Sequence, residues 1–447
     1  MEKDRGSFSR VGFILAAAGS AVGLGNLWRF PYTVGENGGG LFVLVYLISI
    51  VVIALPVLMG EVTLGRHTGK NPVGAFNAIK PGSAWKWVGF LGVTTGFMIL
   101  SYYAVIAGWT VGYFVNTVLG KFRGVTSETA VEIYQNFTAD PLLQISLFAL
   151  FIALTVYVVS RGVSGGIEKF SKILMPILLV LLVLLLIRSL TLKGASKGVE
   201  FYLKPDLKAL RPKLVIAAMG QAFFSLSLGM GTMITYGSYV AKKENIPVSA
   251  GWIAFFDTFI AIMAGFIIFP AIFSQGMNPA AGSGVMYITL PVLFAKMPGG
   301  MIFGALFFLL LSIAALTSTI SILEVPVAYF IDEKNWDRKK AVYIIGVIAF
   351  LIGVPSALSN GSVGFLSKLP LVHVGFLGLF DKIWGNFSLS IGAFCIALFV
   401  AYAWKTTNAI KEIQLGAPDF RAASLWSVAI RFIAPIIILA IFISSFF

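Results

Sequence analysis

Apolar runs separated by short charged, glycine- or proline-bearing stretches follow one another along the whole 447-residue chain. The pattern predicts eleven helices, at about 10–35, 41–64, 88–119, 142–160, 166–188, 213–238, 246–275, 299–330, 341–357, 375–404 and 425–446. Crossing a ~30 Å hydrocarbon core takes roughly 20 apolar residues, and these runs are of that order. Several exceed ~25 residues, which predicts tilt, breaks or extension beyond the bilayer. The fold class read from this pattern is an all-α polytopic membrane protein.

Two runs violate their own pattern. Residues 18–31, "AGSAVGLGNLWRFP", place three glycines, Asn26, Arg29 and a proline inside the first span. Gly19 and Gly23 alone could serve close helix packing. Asn26 and Arg29 cannot be explained that way, because both are costly at membrane depth unless they face a cavity or a partner. Residues 221–236, "QAFFSLSLGMGTMITY", repeat the anomaly in the sixth helix, with Gly229 and Gly231. Freed backbone groups are tolerated in a bilayer only where they line a cavity or are buried in protein. Breaks in the first and sixth helices therefore predict a 5+5 inverted repeat, helices 1–5 and 6–10 plus one more, with a binding site at the breaks. A half-helix starting after a break offers N–H groups and a positive dipole end to a carboxylate. One ending before it offers carbonyls to a hard cation.

Composition agrees: 58% of residues are hydrophobic and 12% charged, a balance no soluble domain of this size needs. The formal charge of +14 is then loop charge that sets topology and meets anionic lipid, and no nucleic-acid partner is expected. With the N-terminus inside, 20 of the 33 Lys and Arg residues fall on the cytoplasmic side, which favours that orientation. The expected layout is a cytoplasmic segment 1–9, a first repeat 10–188, an extracellular loop 189–212, a second repeat 213–404, a cytoplasmic loop 405–424 and a last helix 425–447. It puts the N-terminus in the cytoplasm and the C-terminus outside a multi-pass cell membrane protein. The loop 188–213 dissents, being basic yet external. Cys395 is the sole cysteine, so no intrachain disulfide can form. His67 and His373 lie far apart and suggest no metal site. The apolar start at Val11 lacks the cleavage signal of a secretory leader.

The motifs "GSAVGLGNLWRFP", "ENGGG", "YYAVIAGW", "GQAFFSLSLGMG" and "AALTST" resemble those of the neurotransmitter:sodium symporters, especially the bacterial amino-acid members with the leucine-transporter fold. The resemblance spans about residues 5–405; most members have twelve helices, and this chain has eleven. It implies two Na⁺ ions. The first would use Ala21, Asn26, Ser225 and Asp257 together with the substrate carboxylate. The second would use Gly19, Val22, Ala314, Thr317 and Ser318. Read by themselves, Thr317 and Ser318 could simply bond back to their own helix, as membrane hydroxyls often do. Asp257 stands where many relatives have asparagine, and Ala261 where the leucine transporter carries a glutamate. A fixed carboxylate beside Na⁺ implies independence from chloride.

The resemblance also implies a substrate pocket of Ile99, Tyr103, Phe224, Ser227, Met230, Ser318 and Ile322. The Leu24 and Gly25 amides and Tyr103 would hold the carboxylate, and the Ala21, Phe224 and Ser225 carbonyls the amine. Arg29 and Asp381 resemble an outer gate, with Tyr103 and Phe224 as the lid beneath. Arg5, Tyr239 and Asp332 resemble an inner gate. Glu61 is expected to brace the broken backbones, and the Gly166–Pro176 pair to let helix 5 unwind. The function implied is Na⁺-coupled import of hydrophobic L-amino acids, aliphatic and aromatic, by alternating access. A substrate-gated channel or sensor on the same scaffold, and a sodium-independent carrier, are the alternatives. No metal-binding histidine pair or phosphate loop points to an enzyme.

Overall fold

The computed structural model describes residues 6–278, 286–370 and 372–446, and among them every regular element is a helix and there is no strand. Eleven helices match the predicted runs in number and order. The first is α1, Arg10–Ala21, resuming as Gly25–Glu36 with a 50° bend between the halves. There follow α2 (Gly40–Thr68), α3 (Lys86–Val118), α4 (Pro141–Ser160) and α5 (Val163–Leu190). The sixth, α6, is Pro212–Ser225 and then Thr232–Gly237. The rest are α7 (Ile246–Ser274), α8 (Gly300–Lys334), α9 (Arg338–Ala357), α10 (Phe376–Ala403) and α11 (Ala423–Ser444).

Their starts are set by local chemistry. Ser9, Asp140, Asn245 and Asp337 each accept a backbone N–H at a helix N-terminus, satisfying donors that have no partner within the helix. Stretches expected to be loops carry short helices of their own: Pro72–Ile79, Ser127–Ala139, Ala195–Leu203, Thr289–Lys296 and Thr406–Gln414. They are too short to register as spans.

Helices α3 and α8 run together at the centre, and α1 packs against α5, α7 and α8. Helix α11 lies at the periphery against α6 and α10 and is the least buried span. The two breaks differ in kind. In α1, Val22 turns extended and the chain re-enters helix through a wide turn at Gly25–Arg29. In α6 the unwound stretch carries three left-handed residues, Ser227 (φ 54°), Gly229 (φ 90°) and Gly231 (φ 78°). Gly229 is required twice over: its φ disfavours a side chain, and a Cβ there would strike the Leu389 carbonyl of α10.

Candidate substrate and ion site at the helix breaks

A cavity of about 380 Å³ lies between the breaks of α1 and α6 and the facing walls of α3, α8 and α10. All eleven residues expected to meet substrate line it: Ala21, Leu24, Gly25, Ile99, Tyr103, Phe224, Ser225, Ser227, Met230, Ser318 and Ile322. Its polar end is built by the α1 break. The Leu24 amide donates to the Tyr103 hydroxyl at 3.1 Å, and the Ser227 hydroxyl donates to the Ser20 carbonyl at 3.1 Å. Gly23 has no room for a side chain, since a Cβ would sit 2.6 Å from the Ser318 hydroxyl and 2.8 Å from that of Tyr103. Ile99, Ile106, Met230 and Ile322 supply an apolar wall.

Beside this cavity, Asn26, Ser225 and Asp257 converge, all buried. The Asn26 amide Nδ2 donates to Asp257 Oδ1 at 2.6 Å and to Ser225 Oγ at 3.0 Å, and the Ser225 hydroxyl reaches both carboxylate oxygens at 2.8 and 2.9 Å. The Asn26 side-chain oxygen is turned away and accepts the Gly23 amide at 3.1 Å. Unpaired, the Asp257 carboxylate would be costly at this depth; these donors keep it satisfied.

A second cluster joins α1 to α8. The Ser318 hydroxyl lies 3.2 Å from the Ser20 carbonyl, 3.3 Å from that of Val22 and 3.3 Å from that of Ala314. The Thr317 hydroxyl donates to the Ala314 carbonyl at 2.9 Å. Gly19 packs on Thr317, where a Cβ would stand 3.2 Å from the threonine Cβ. Bonding back to the same helix thus occurs for both hydroxyls, but Ser318 also reaches across to the α1 break. The second cluster offers only oxygens; the first offers the Ser225 hydroxyl and the Asp257 carboxylate, with the Asn26 NH₂ turned toward them. These hard oxygens suit Na⁺ rather than a soft metal.

The expected gates fall at opposite ends. Arg29 and Asp381 both line the cavity mouth, yet no ion pair joins them. The Arg29 guanidinium lies over the Phe224 ring, 4.4 Å from its centroid, and Asp381 accepts the Tyr102 hydroxyl at 3.1 Å. At the other, N-terminal face, Arg5 lies outside the described residues. Tyr239 donates to Glu324 at 2.6 Å, and Asp332 accepts the Asn71 backbone and side-chain amides at 2.8 and 3.1 Å. Glu61 braces one break only: its Oε1 accepts the Gly229 amide of α6 at 2.8 Å, while its Oε2 has no partner and no bond to α1 is formed. The Gly166–Pro176 turn is wound, entering α5 through a wide turn at Val163–Glu168.

Several residues of the site were not singled out from sequence. Trp28, Tyr32, Tyr102, Ile106, Leu377, Asn386 and Leu389 also line the cavity. At the N-terminal face, buried Glu324 forms an ion pair with the partly buried Arg338, and Glu168 takes the Ser9 amide at 3.2 Å and hydroxyl at 2.5 Å. Glu324 carried a readable signal, a carboxylate inside an apolar helix, the same one that marks Asp257 and Glu61. Gly162–Gly166 has the Gly-x-Ser-x-Gly spacing used by some hydrolases. Here it opens a membrane helix, and the Ser164 hydroxyl donates to the Ser7 carbonyl at 2.9 Å. His67 engages Glu412 at the end of α2 instead.

Comparison with known proteins bears on the family and the fold. The profile of the sodium:neurotransmitter symporter family matches residues 5–123 and 126–447. The chain is similar to an uncharacterized sodium-dependent transporter, YhdH, of Bacillus subtilis (strain 168), at 38% identity over 98% of this chain and 96% of that one. It is also similar to an uncharacterized sodium-dependent transporter of Haemophilus influenzae, at 35% identity over 98% and 97% of the two chains. Among solved structures it superposes on MhsT in complex with L-phenylalanine, with a TM-score of 0.89 and 46% identity, covering 99% of this chain and all of that one. A polytopic helical bundle broken at its first and sixth helices, with sodium-dependent relatives along its whole length, is a transporter and not an enzyme: the chain belongs to the sodium:neurotransmitter symporter family.

Proposed function

We propose that this protein imports hydrophobic L-amino acids, aliphatic and aromatic, together with two Na⁺ ions, independently of chloride and by alternating access. One observation carries the reading. A single cavity joins the two helix breaks at its polar end to an apolar wall at the other, with an oxygen-rich cluster on either side of α1. In this reading the α1 break and Tyr103 hold the substrate carboxylate, Asn26, Ser225, Asp257 and Ala21 hold one ion, and Thr317, Ser318, Ala314, Val22 and Gly19 hold the other. Occupying the first site requires the Asn26 amide to turn over, so that its oxygen replaces its NH₂ in the cluster. Asp257 supplies the fixed negative charge that a bound anion would otherwise supply. Alternating access then exposes the cavity to one face at a time, with the N-terminal face in the cytoplasm and the mouth outside.

Substrate size follows from the wall. Met230 is unbranched and can move aside for a large ring, where a phenylalanine would stand as a rigid plate. Tryptophan, phenylalanine and tyrosine should therefore enter alongside leucine and isoleucine. Glutamate and lysine would bury an unpaired charge, and glycine would leave the cavity unfilled. The phenylalanine held by the similar MhsT is consistent with this class. Competition of labelled leucine uptake by each of the twenty amino acids, with gluconate or chloride as the anion, tests the reading. Aromatic and branched aliphatic residues should compete, Met230→Phe should penalise tryptophan more than leucine, and the anion should make no difference. Stronger competition by glycine or glutamate than by any aromatic residue would refute the pocket, and a chloride requirement would refute the role of Asp257.

A further inference from the structure

The loop between α5 and α6 is basic although topology predicts it on the outside, and neither substrate nor ions account for that. Between residues 191 and 213 it carries Lys193, Lys197, Lys204, Lys208, Arg211 and Lys213 against Glu200 and Asp206. The fold gives this segment a fixed seat. The helix Ala195–Leu203 lies across the end of α7, where the Phe201 ring packs against Phe269 and Phe273, and Tyr202 meets Phe266 edge-on and stacks on Phe269. Two glycines permit the crossing: a Cβ on Gly198 would meet the α7 backbone at Phe269, and one on Gly265 would enter the Tyr202 ring. The chain then passes the start of α2, where Gly39 pairs with Pro205 and a Cβ on Gly40 would stand 2.8 Å from the backbone of Leu203 and Lys204.

What this seat presents outward is unusual. Leu203, Leu207 and Leu210 are 54%, 71% and 57% exposed, and each is followed at once by a basic residue, Lys204, Lys208 and Arg211. Three leucines held in water this way have no use in folding, since the buried face is supplied by Ala195, Gly198 and Tyr202. Immediately along α2 from Gly40 run Leu44, Leu47, Ile48 and Val51, the outward residues of a membrane span. The leucine-bearing segment therefore meets α2 at the level where this outward-facing span ends. Apolar side chains interleaved with Lys and Arg match the boundary between acyl chains and anionic headgroups. Three acids temper the charge: Lys204 pairs with exposed Glu200 at 3.0 Å, Asp206 caps the Lys208 amide, and Glu36 borders a cavity with Arg211 and Lys213. The basic excess remains.

We propose that residues 203–213 form an interfacial anchor that inserts Leu203, Leu207 and Leu210 into the leaflet at the cavity mouth and binds anionic phospholipid headgroups through Lys204, Lys208 and Arg211. The surface takes lipid, not a second copy of this chain, because its basic rim complements anionic headgroups and its apolar part is seated where the α2 span ends.

The test uses the full chain with Cys395→Ser and a nitroxide at Leu207→Cys, in vesicles of phosphatidylcholine with or without a third of phosphatidylglycerol. A label at Lys193→Cys marks the aqueous reference. In the anionic vesicles the Leu207 label should gain collisions with oxygen and lose them with a water-soluble nickel reagent, relative to the Lys193 label. The triple variant Lys204→Gln/Lys208→Gln/Arg211→Gln should shift it back toward the aqueous value, as should vesicles without phosphatidylglycerol. A Leu207 label as water-accessible as the Lys193 label overturns the anchor. A membrane depth that ignores both the triple variant and the lipid charge overturns the headgroup recognition.

Discussion

The two ends of the transport path are built differently. At the mouth, the charged pair Arg29 and Asp381 is apart, each satisfied by an aromatic neighbour instead. At the N-terminal face, contacts accumulate. Phe8 sits among Tyr236 and Tyr239 with ring centroids 5.3 and 5.9 Å away, and its amide donates to the Tyr239 carbonyl. Ser9 is tied to Glu168, and Tyr239 and Arg338 converge on Glu324. A second cavity of about 570 Å³ lies at this face, bordered by Arg161, Tyr239 and Arg338, and among the described residues it shares no wall with the central one. The lesson concerns energy. A thin barrier at the mouth and a thick one at the N-terminal face place the cavity in contact with the mouth, and exposing it to the other face requires breaking specific polar contacts that the mouth does not have.

Breaking that inequality from its strong side should have the largest effect. Glu324 is buried with two donors, and Glu324→Gln leaves Arg338 without its charge partner. Loss of one member of a buried pair costs about 3–5 kcal/mol. The expected outcome is an open N-terminal face, read as faster modification of a Tyr236→Cys probe from that side, with uptake falling accordingly. Unchanged probe reactivity would mean that this pair does not hold the face shut.

A smaller effect is expected further out on the same face. Glu412, on the short helix Thr406–Gln414, receives Arg66 Nε at 3.0 Å, His67 at 2.9 Å and Lys242 at 3.0 Å, and Arg66 also holds the Glu412 backbone carbonyl. Burial alone would raise this carboxyl. The hydrogen bonds from His67 and Lys242 and the charges of Lys242 and Arg66 outweigh it and bring it down to about 2. A depressed carboxyl stabilises the fold fully above its ordinary value of 4.5, and that contribution is lost as pH falls through the folded value. Glu412→Gln should therefore lower thermal stability at neutral pH by about 1–3 kcal/mol. The gap between variant and wild type should close as the medium is taken from pH 4.5 toward 2. A gap independent of pH would contradict the charge argument.

The smallest effect belongs to the mouth. With no ion pair to lose, Asp381→Asn should change substrate affinity by less than about 1 kcal/mol, roughly a factor of five. A loss as large as that of Glu324→Gln would erase the contrast between the faces.

How far the sequence foretold this molecule depends on the kind of signal. The helix count and both breaks were legible because apolar length is a strong local cue, and because Asn26, Arg29, Gly229 and Gly231 are out of place within it. Asp257 was legible for the same reason, and Glu324 carries the same signal, a carboxylate inside an apolar helix. Cavity residues such as Tyr32, Ile106 and Leu389 were not, since an aromatic or aliphatic side chain in a membrane helix reads the same whether it faces substrate or core. The bracing of Glu61 was half legible: burial demands a donor, but only packing decides that Gly229 supplies it and α1 does not. The turn of the Asn26 amide toward Asp257, and the separation of Arg29 from Asp381, are properties of one conformation and leave no trace in residue type.

Sodium-coupled carriage at the breaks is the claim on which the rest depends. The direct measurement is uptake of labelled L-leucine into proteoliposomes under an inward Na⁺ gradient, against the same gradient of choline, for wild type and Thr317→Val/Ser318→Ala. Removing two hard oxygen ligands should weaken ion binding by about 2–3 kcal/mol, roughly 30- to 150-fold. Wild type should accumulate leucine only with Na⁺, and the double variant should fold normally yet fall to the choline level. Wild-type uptake undiminished in choline, or a double variant that still concentrates leucine at the wild-type rate, would contradict the account.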